Sequence, residues 1–279
     1  MSRAPQAEAF ANRAVVVTGA SSGLGASLAA ALAGAGANLA LSGRCEQRLE
    51  AVAARCREAG GEALVVPGDL SIPACGAELV STAVARFGRL DMLLACAGMS
   101  MWSRFDELHD PDALRRLMDA NYWALVQPSY HALPHLKKSA GILVAVSSIQ
   151  GKVGVPYHTG YAASKHAVQG FCDSLRSELR ASGVDVLTVL VHWIRGTRLR
   201  ERALGPNGRA QGERAARHGA SALSLEVATR EILQAAARRK PRLYLPAKLR
   251  LLALLAELSP RLAERLITRH VERENARTS

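Results

Sequence analysis

The 279-residue chain is poor in aromatics, at 4%, and contains no uninterrupted apolar run of 18 residues. The second absence excludes an ordinary membrane-spanning helix, which needs about 20 such residues. The five cysteines (Cys45, Cys56, Cys75, Cys96, Cys172) form no C-x-x-C pair, and the eight histidines no H-E-x-x-H. Those spacings bring ligands onto one face, so no metal site and no disulfide framework is expected, and the thiols are read as reduced. The first twelve residues lack the apolar stretch of an export signal, which makes the cytoplasm the expected location. With so few aromatics to stack on bases, nucleic acid is not an expected partner.

What charge there is lies unevenly. Lys and Arg number 36 against 24 Asp and Glu. From Arg195 onward the counts are 19 and 8, leaving the first 194 residues nearly neutral. The basic excess therefore describes the C-terminal third. Apolar residues make up 49% of the chain, enough for a sizeable core.

Short apolar runs at 14–18, 38–42, 63–66, 92–95, 142–146 and 184–191 alternate with helical patterns at 24–35, 46–59, 75–87, 112–138 and 157–181. Strands that are apolar throughout, rather than alternating, suit a parallel sheet covered on both faces. The alternation predicts an α/β fold with a doubly wound, Rossmann-like parallel sheet. Residues 195–221 break the pattern, helical spacing returns at 225–239, and 242–245 reads as a last strand. The expected organisation is one α/β domain over 1–245, with a substrate loop at 192–223, followed by a helical extension over 246–279.

The first strand runs into Thr18-Gly19-Ala20-Ser21-Ser22-Gly23-Leu24-Gly25, where a helix opens. Glycines permit a tight turn and close approach of backbone N–H groups to a pyrophosphate, and a helix N-terminus favours negative charge. Residues Gly19, Ser21, Ser22, Gly23, Leu24 and Gly25 are thus candidates for a dinucleotide. Selectivity for NAD usually comes from an acidic residue about 20 positions downstream. That position is Gly43 here, and Arg44 follows. A missing carboxylate and an added guanidinium point to a 2′-phosphate, hence NADP(H). Asp69 and Leu70, after the third strand, are candidates for the adenine, and Gly98 leaves room beside the fourth.

Ser147 and Ser148 follow the 142–146 strand, and Tyr161 comes 13 residues after Ser148. Tyr161 and Lys165 are i and i+4 on a helix, so they share a face. An ammonium beside a phenol is expected to lower its pKa from about 10. A general acid/base for a ketone–alcohol pair needs such tuning.

With Thr18-Gly19-x-x-x-Gly23-x-Gly25, Ser148 and Tyr161-x-x-x-Lys165 in this order, the chain resembles the short-chain dehydrogenase/reductase family over about residues 13–191. The resemblance implies that Tyr161 exchanges a proton with the substrate oxygen, that Lys165 tunes Tyr161 and bonds the nicotinamide ribose, and that Ser148 positions the carbonyl. Asn121, 27 residues before Ser148, falls at the family's fourth catalytic position and would hold a water feeding protons through Lys165. It further implies a hydrophobic small-molecule or acyl substrate contacting Ser148, Tyr161 and Trp193, and a homo-oligomer, dimer or tetramer.

The pattern departs from the family after the sixth strand. Val191-His192 stand where Pro-Gly is usual, and Thr197 arrives one place late. Ile194 is expected to pack against the nicotinamide. This departure keeps open a second reading, a catalytically impaired NADP-binding regulatory or membrane-associated protein. Seven arginines between Arg195 and Arg217 read either as a solvated loop or as a site for an anionic carrier. Near the C-terminus, Leu251, Leu255, Leu258, Leu262 and Leu266 form one stripe, flanked by Lys248, Arg250, Arg261, Arg265 and Arg269 and divided at Pro260. The stripe is expected to pack on the domain or a sister subunit, with peripheral membrane contact through 248–271 as the alternative.

Overall fold

A computed structural model describes residues 9–212 and 222–276. The strands are β1 (Ala14–Thr18), β2 (Asn38–Gly43), β3 (Ala63–Pro67), β4 (Met92–Ala95), β5 (Ile142–Ser148), β6 (Asp185–Val191) and β7 (Arg242–Leu245). They form one parallel sheet in the order β3-β2-β1-β4-β5-β6-β7. The helices are α1 (Gly23–Ala33), α2 (Glu46–Glu58), α3 (Pro73–Phe87), α4 (Asp112–Met118), α5 (Ala124–Ser139), α6 (Thr159–Glu178), α7 (Leu225–Ala237), α8 (Leu249–Leu258) and α9 (Pro260–Ala276). The doubly wound, Rossmann-like α/β sheet expected from the sequence is the fold observed.

The valine run of β1 shows why the sheet is covered on both sides. All five residues are buried. Successive side chains point to opposite faces. Val15 and Val17 join the core formed with Leu28, Leu32, Leu49 and Ile232 from α1, α2 and α7. Val16 joins the opposite core, with Leu79, Leu136 and Val168 from α3, α5 and α6. At the amino ends, Asp91 ties β1 to β4 by accepting from Arg13, Arg89 and the Ala14 backbone N–H.

From β1 the chain fills one side of the sheet through β2 and β3, then crosses to β4 on the other. This reversal opens a crevice at the carboxyl ends of β1 and β4, where ligands of such sheets bind. Thr18 Oγ1 fixes the spot, accepting from the backbone N–H groups of Cys96 (3.1 Å) and Ala97 (3.2 Å).

One element differs from the sequence reading. The helix expected over 112–138 is interrupted by a π-helical turn at Asp119–Trp123, which carries Asn121. Single π turns inside helices are found often at functional sites. Residues 248–276 form two helices that meet at Pro260, as expected of a proline at a helix start. Through Leu249, Ala253 and Ile267 they cover Ile149 and Val153 beyond β5.

Candidate active site

The glycine turn after β1 is shaped by what its neighbours leave no room for. Gly19 has φ +64°, and a Cβ there would lie 2.7 Å from the backbone N of Ala97. A Cβ on Gly25 would meet the Gly19 carbonyl oxygen at 2.4 Å, so α1 packs on the turn only because both residues lack side chains. Beyond the turn opens a cleft of about 350 Å³, lined by Gly19, Ser21, Ser22, Gly23, Leu24, Gly25, Arg44, Asp69, Leu70, Gly98, Tyr161, Lys165, Trp193 and Ile194. The residues read from the sequence as dinucleotide contacts therefore share one wall system.

Each supporting residue has a local cause. Gly43 ends β2 facing Ser21, whose Oγ would be 3.5 Å from a Cβ there. Arg44 follows, exposed at the cleft edge. Burial raises the Asp69 carboxyl, but hydrogen bonds from the Ser71 hydroxyl and N–H, with the Arg44 charge, outweigh it and hold the group below the usual carboxylate range.

Arg202 and Arg198 were missed as cleft residues. Both lie in the loop that follows β6, and both line the cleft. A side chain on Gly23 would touch Thr197 at 3.5 Å, so this loop roofs the glycine turn. Arg202 Nη1 donates to Ser22 Oγ at 3.3 Å, and its buried Nη2 has no hydrogen-bond partner among the described residues. Burial, then the charges of Arg48, Arg198 and Arg44, lower its pKa. An orphaned guanidinium N–H beside a glycine cradle, among like charges, suits the phosphates of a dinucleotide. The remaining loop arginines divide: Arg200 lies over the rings of Trp102 and Trp193, at 5.5 and 4.7 Å, Arg195 donates to the Ala222 carbonyl, and Arg209 is exposed. Arg214 and Arg217 fall outside the described residues.

At the inner end of the cleft, Tyr161 and Lys165 project from α6, buried at 5% and 4% exposure. Lys165 Nζ donates to the Val146 carbonyl (3.1 Å) and lies 5.8 Å from the Tyr161 ring centre. The expected lowering of the Tyr161 pKa is corrected here. Burial pushes Tyr161 up to about 12, against a hydrogen bond from Ser148 that lowers it. Burial likewise pushes Lys165 down to about 8. A dry wall disfavours both charged forms, so at neutral pH Tyr161 is a phenol, holding its proton.

Asn121 lies behind Gly98 rather than in the cleft. Its Nδ2 donates to the Met99 carbonyl and to Ser164 Oγ, both at 2.9 Å, and its Oδ1 accepts from the Met99 N–H. Both side-chain donors are thus engaged in joining α6 to the segment after β4.

Ser148, at the end of β5, opens onto a second cavity of about 260 Å³. This cavity shares Tyr161, Val191, His192, Trp193 and Leu199 with the first. Its other walls include Trp102, Gln150, Val153, Val155 and His158, with Leu252, Leu266, Ile267, His270 and Val271 from the C-terminal helices. Sequence reasoning missed these walls, although His158 stands one helical turn before Tyr161. The Val191-His192 departure also has a structural reading. The His192 N–H donates to the Leu245 carbonyl at 2.9 Å, carrying the β6–β7 pairing one residue beyond β6.

The sequence profile described as short chain dehydrogenase matches residues 13–204. An Arabidopsis thaliana protein named 11-beta-hydroxysteroid dehydrogenase-like 4A is 39% identical over 175 residues, covering 62% of this chain and 58% of that protein. Dehydrogenase/reductase SDR family member 7B of Rattus norvegicus is 33% identical over 272 residues, covering 94% of this chain and 82% of its own length. A crystal structure assigned to a short-chain alcohol dehydrogenase of Sinorhizobium meliloti aligns with TM-score 0.63 and 27% identity, over 67% of this chain and 74% of that one. The chain belongs to the short-chain dehydrogenase family. It spans a little over half the length of the plant relatives that it matches. The family's cofactors are nicotinamide dinucleotides.

Proposed function

We propose that this protein is an NADP(H)-dependent oxidoreductase that interconverts a ketone and a secondary alcohol on a hydrophobic substrate, with Tyr161 as general acid/base. The observation that carries this reading is the position of the Ser148–Tyr161 pair where a glycine-walled, arginine-rich cleft meets an apolar cavity. NADPH, when bound, would supply the hydride. The glycine turn, Arg44 and Arg202 would hold its phosphates, and Lys165 would bond its ribose. Ser148 would hold the substrate oxygen against the Tyr161 hydroxyl, and Tyr161, protonated at neutral pH, would donate its proton as that oxygen gains charge. Asn121 would act through position, keeping α6 and Lys165 in place.

NADPH oxidation against a panel of apolar ketones tests the proposal. The Val191-His192 departure favours the second reading, a dinucleotide-binding regulatory protein, and NADPH binding with no oxidation of any ketone would select it. Cofactor choice has its own test. Arg44→Leu is expected to weaken NADPH binding about 10- to 100-fold while leaving NADH unchanged, from the loss of charge-assisted bonds to the 2′-phosphate. Equal losses for both nucleotides, in fluorescence titrations, would remove Arg44 from that role.

The C-terminal leucine stripe faces mostly outward, with Leu255 half-buried. Leu258 is 85% exposed and Leu251 69%, with Leu262 and Leu266 also exposed; Leu249, Ala253 and Ala263 are the buried face. Among the described residues no helix is long and apolar enough to cross a membrane. An outward apolar face flanked by exposed Arg250, Arg261, Arg265 and Arg269, and touching the cavity at Leu266, supports peripheral contact with an anionic bilayer. Full-length protein is expected to float with vesicles containing phosphatidylglycerol, and the Leu258→Asp/Leu262→Asp variant to remain in solution. A wild-type homo-oligomer that does not float and that dissociates in this variant would assign the face to a second copy instead.

A further inference from the structure

The cavity beside Ser148 and Tyr161 contains polar atoms that the proton transfer does not use. His158 is 1% exposed and precedes α6. Its Nδ1 is 2.9 Å from the Pro156 carbonyl oxygen, which can only accept. Nδ1 therefore carries the hydrogen, and Nε2 of the neutral ring is an acceptor. Burial, with a contribution from the Arg200 charge, pushes the His158 pKa down to about 4 against the pull of that carbonyl, so the ring stays neutral. Nε2 is buried and has no hydrogen-bond partner among the described residues, although the ring lines the cavity.

The surroundings hold this ring in place at some conformational cost. Tyr157 has φ +67°, a left-handed conformation uncommon for a bulky residue. Its ring stacks on Trp102 at 5.2 Å between centres, and Trp102 meets His158 edge-on at 5.0 Å. Trp193 lies 5.9 Å away on another side. The imidazole centre is 6.1 Å from that of Tyr161. A second buried acceptor, Gln150 Oε1, is likewise without a partner, and Gln150 lines the same cavity. Buried acceptors are rarely left unpaired, and an apolar chamber gives a bound molecule good reason to pair them.

We propose that His158 Nε2, with Gln150 Oε1, is a hydrogen-bond-accepting subsite for a hydroxyl on the substrate, so the preferred substrates are hydroxyketones of an apolar skeleton rather than simple ketones. The His158–Tyr161 separation places that hydroxyl within a few carbons of the reacting one. His158 is a specificity-determining residue in this account. It takes no part in the proton transfer, and the proposal rests on the reading of this cavity as the substrate chamber.

Calorimetric titration of the full-length protein with 2-decalone and its ring-hydroxylated isomers tests the subsite. At least one hydroxylated isomer is expected to bind about tenfold more tightly than the parent, the worth of one well-made hydrogen bond. His158→Phe, which keeps a flat ring but removes the acceptor, is expected to bring the ratio close to one without weakening the parent ketone. His158→Gln, which retains an acceptor, is expected to keep part of the preference. If His158→Phe does not fold, Gln150→Met is judged by the same ratio and is expected to reduce it. The subsite is overturned if no hydroxylated isomer binds more tightly to the wild type, or if the preference survives undiminished in the folded variants. Oxidation of NADPH by the parent ketone, measured alongside, separates the two ideas. Turnover with a ratio of one removes the subsite alone, whereas a preserved ratio without turnover overturns the enzymatic reading and leaves a hydroxyl-binding cavity.

Discussion

Tyr161→Phe is expected to lower the rate of ketone reduction about 10³-fold while leaving NADPH affinity within about twofold, because general acid catalysis contributes on the order of 10² to 10⁴. The substitution removes one oxygen and keeps the ring, which packs with Met101, Leu117 and Leu204. No phosphate-binding element is touched. Ser148 remains to hold a carbonyl, but a serine hydroxyl is a far weaker acid than a phenol and does not replace it as the proton donor. Lys165 does not replace it, since Nζ is engaged with the Val146 carbonyl and lies 5.8 Å from the ring centre. Steady-state kinetics and a fluorescence titration on the same preparation check both halves. Unchanged turnover would take Tyr161 out of the mechanism, and loss of NADPH binding would make its role structural.

Gly19→Val is the second large effect, and it is expected at the opposite end of the cleft. The position combines φ +64° with a Cβ site 2.7 Å from the Ala97 backbone N. A β-branched residue disfavours that conformation, at a cost of about 1–3 kcal/mol. The clash is with backbone, so no rotamer relieves it, and either the turn or the β4 end held by Thr18 must move. NADPH affinity is expected to fall at least about 100-fold, with a drop of several degrees in Tm. Gly60→Ala is a useful control, since a Cβ there meets nothing within 4 Å and the residue is remote from the cleft. It shares the positive φ, at +98°, and is expected to lower stability without the loss of nucleotide. Wild-type NADPH affinity in Gly19→Val would show that the turn does not cradle the dinucleotide.

The parts of this site that were legible in the sequence are those set by short spacing. The valines of β1, the glycine turn and the i, i+4 pair of Tyr161 and Lys165 each lie within one element or one connection, and local geometry determines what they can share. The uniformly apolar strands were equally informative, since they demand helices on both faces. What was not legible depends on distant segments meeting. Arg202 reaches Ser22 across 180 residues of chain, and the C-terminal helices close the cavity beside Ser148. The Tyr161 pKa came out in the wrong direction for the same reason. Spacing reveals the neighbouring ammonium, but the burial that raises the phenol, against the Ser148 hydrogen bond, comes from other parts of the fold. The leucine stripe was legible as a stripe, yet which way it faced depended on how α8 and α9 sit against Ile149 and Val153.

The most direct test of coupled hydride and proton transfer at the Ser148–Tyr161 junction uses NADPH deuterated at C4 of the nicotinamide, in each of its two stereochemical forms. Wild-type protein is incubated with a panel of mono- and polycyclic ketones, and the alcohols are examined by mass spectrometry. One deuterium at the carbinol carbon is expected from one form of the cofactor and none from the other, with the labelled alcohol absent in Tyr161→Phe. Wild-type protein that binds NADPH but transfers no deuterium to any ketone of the panel would contradict the account.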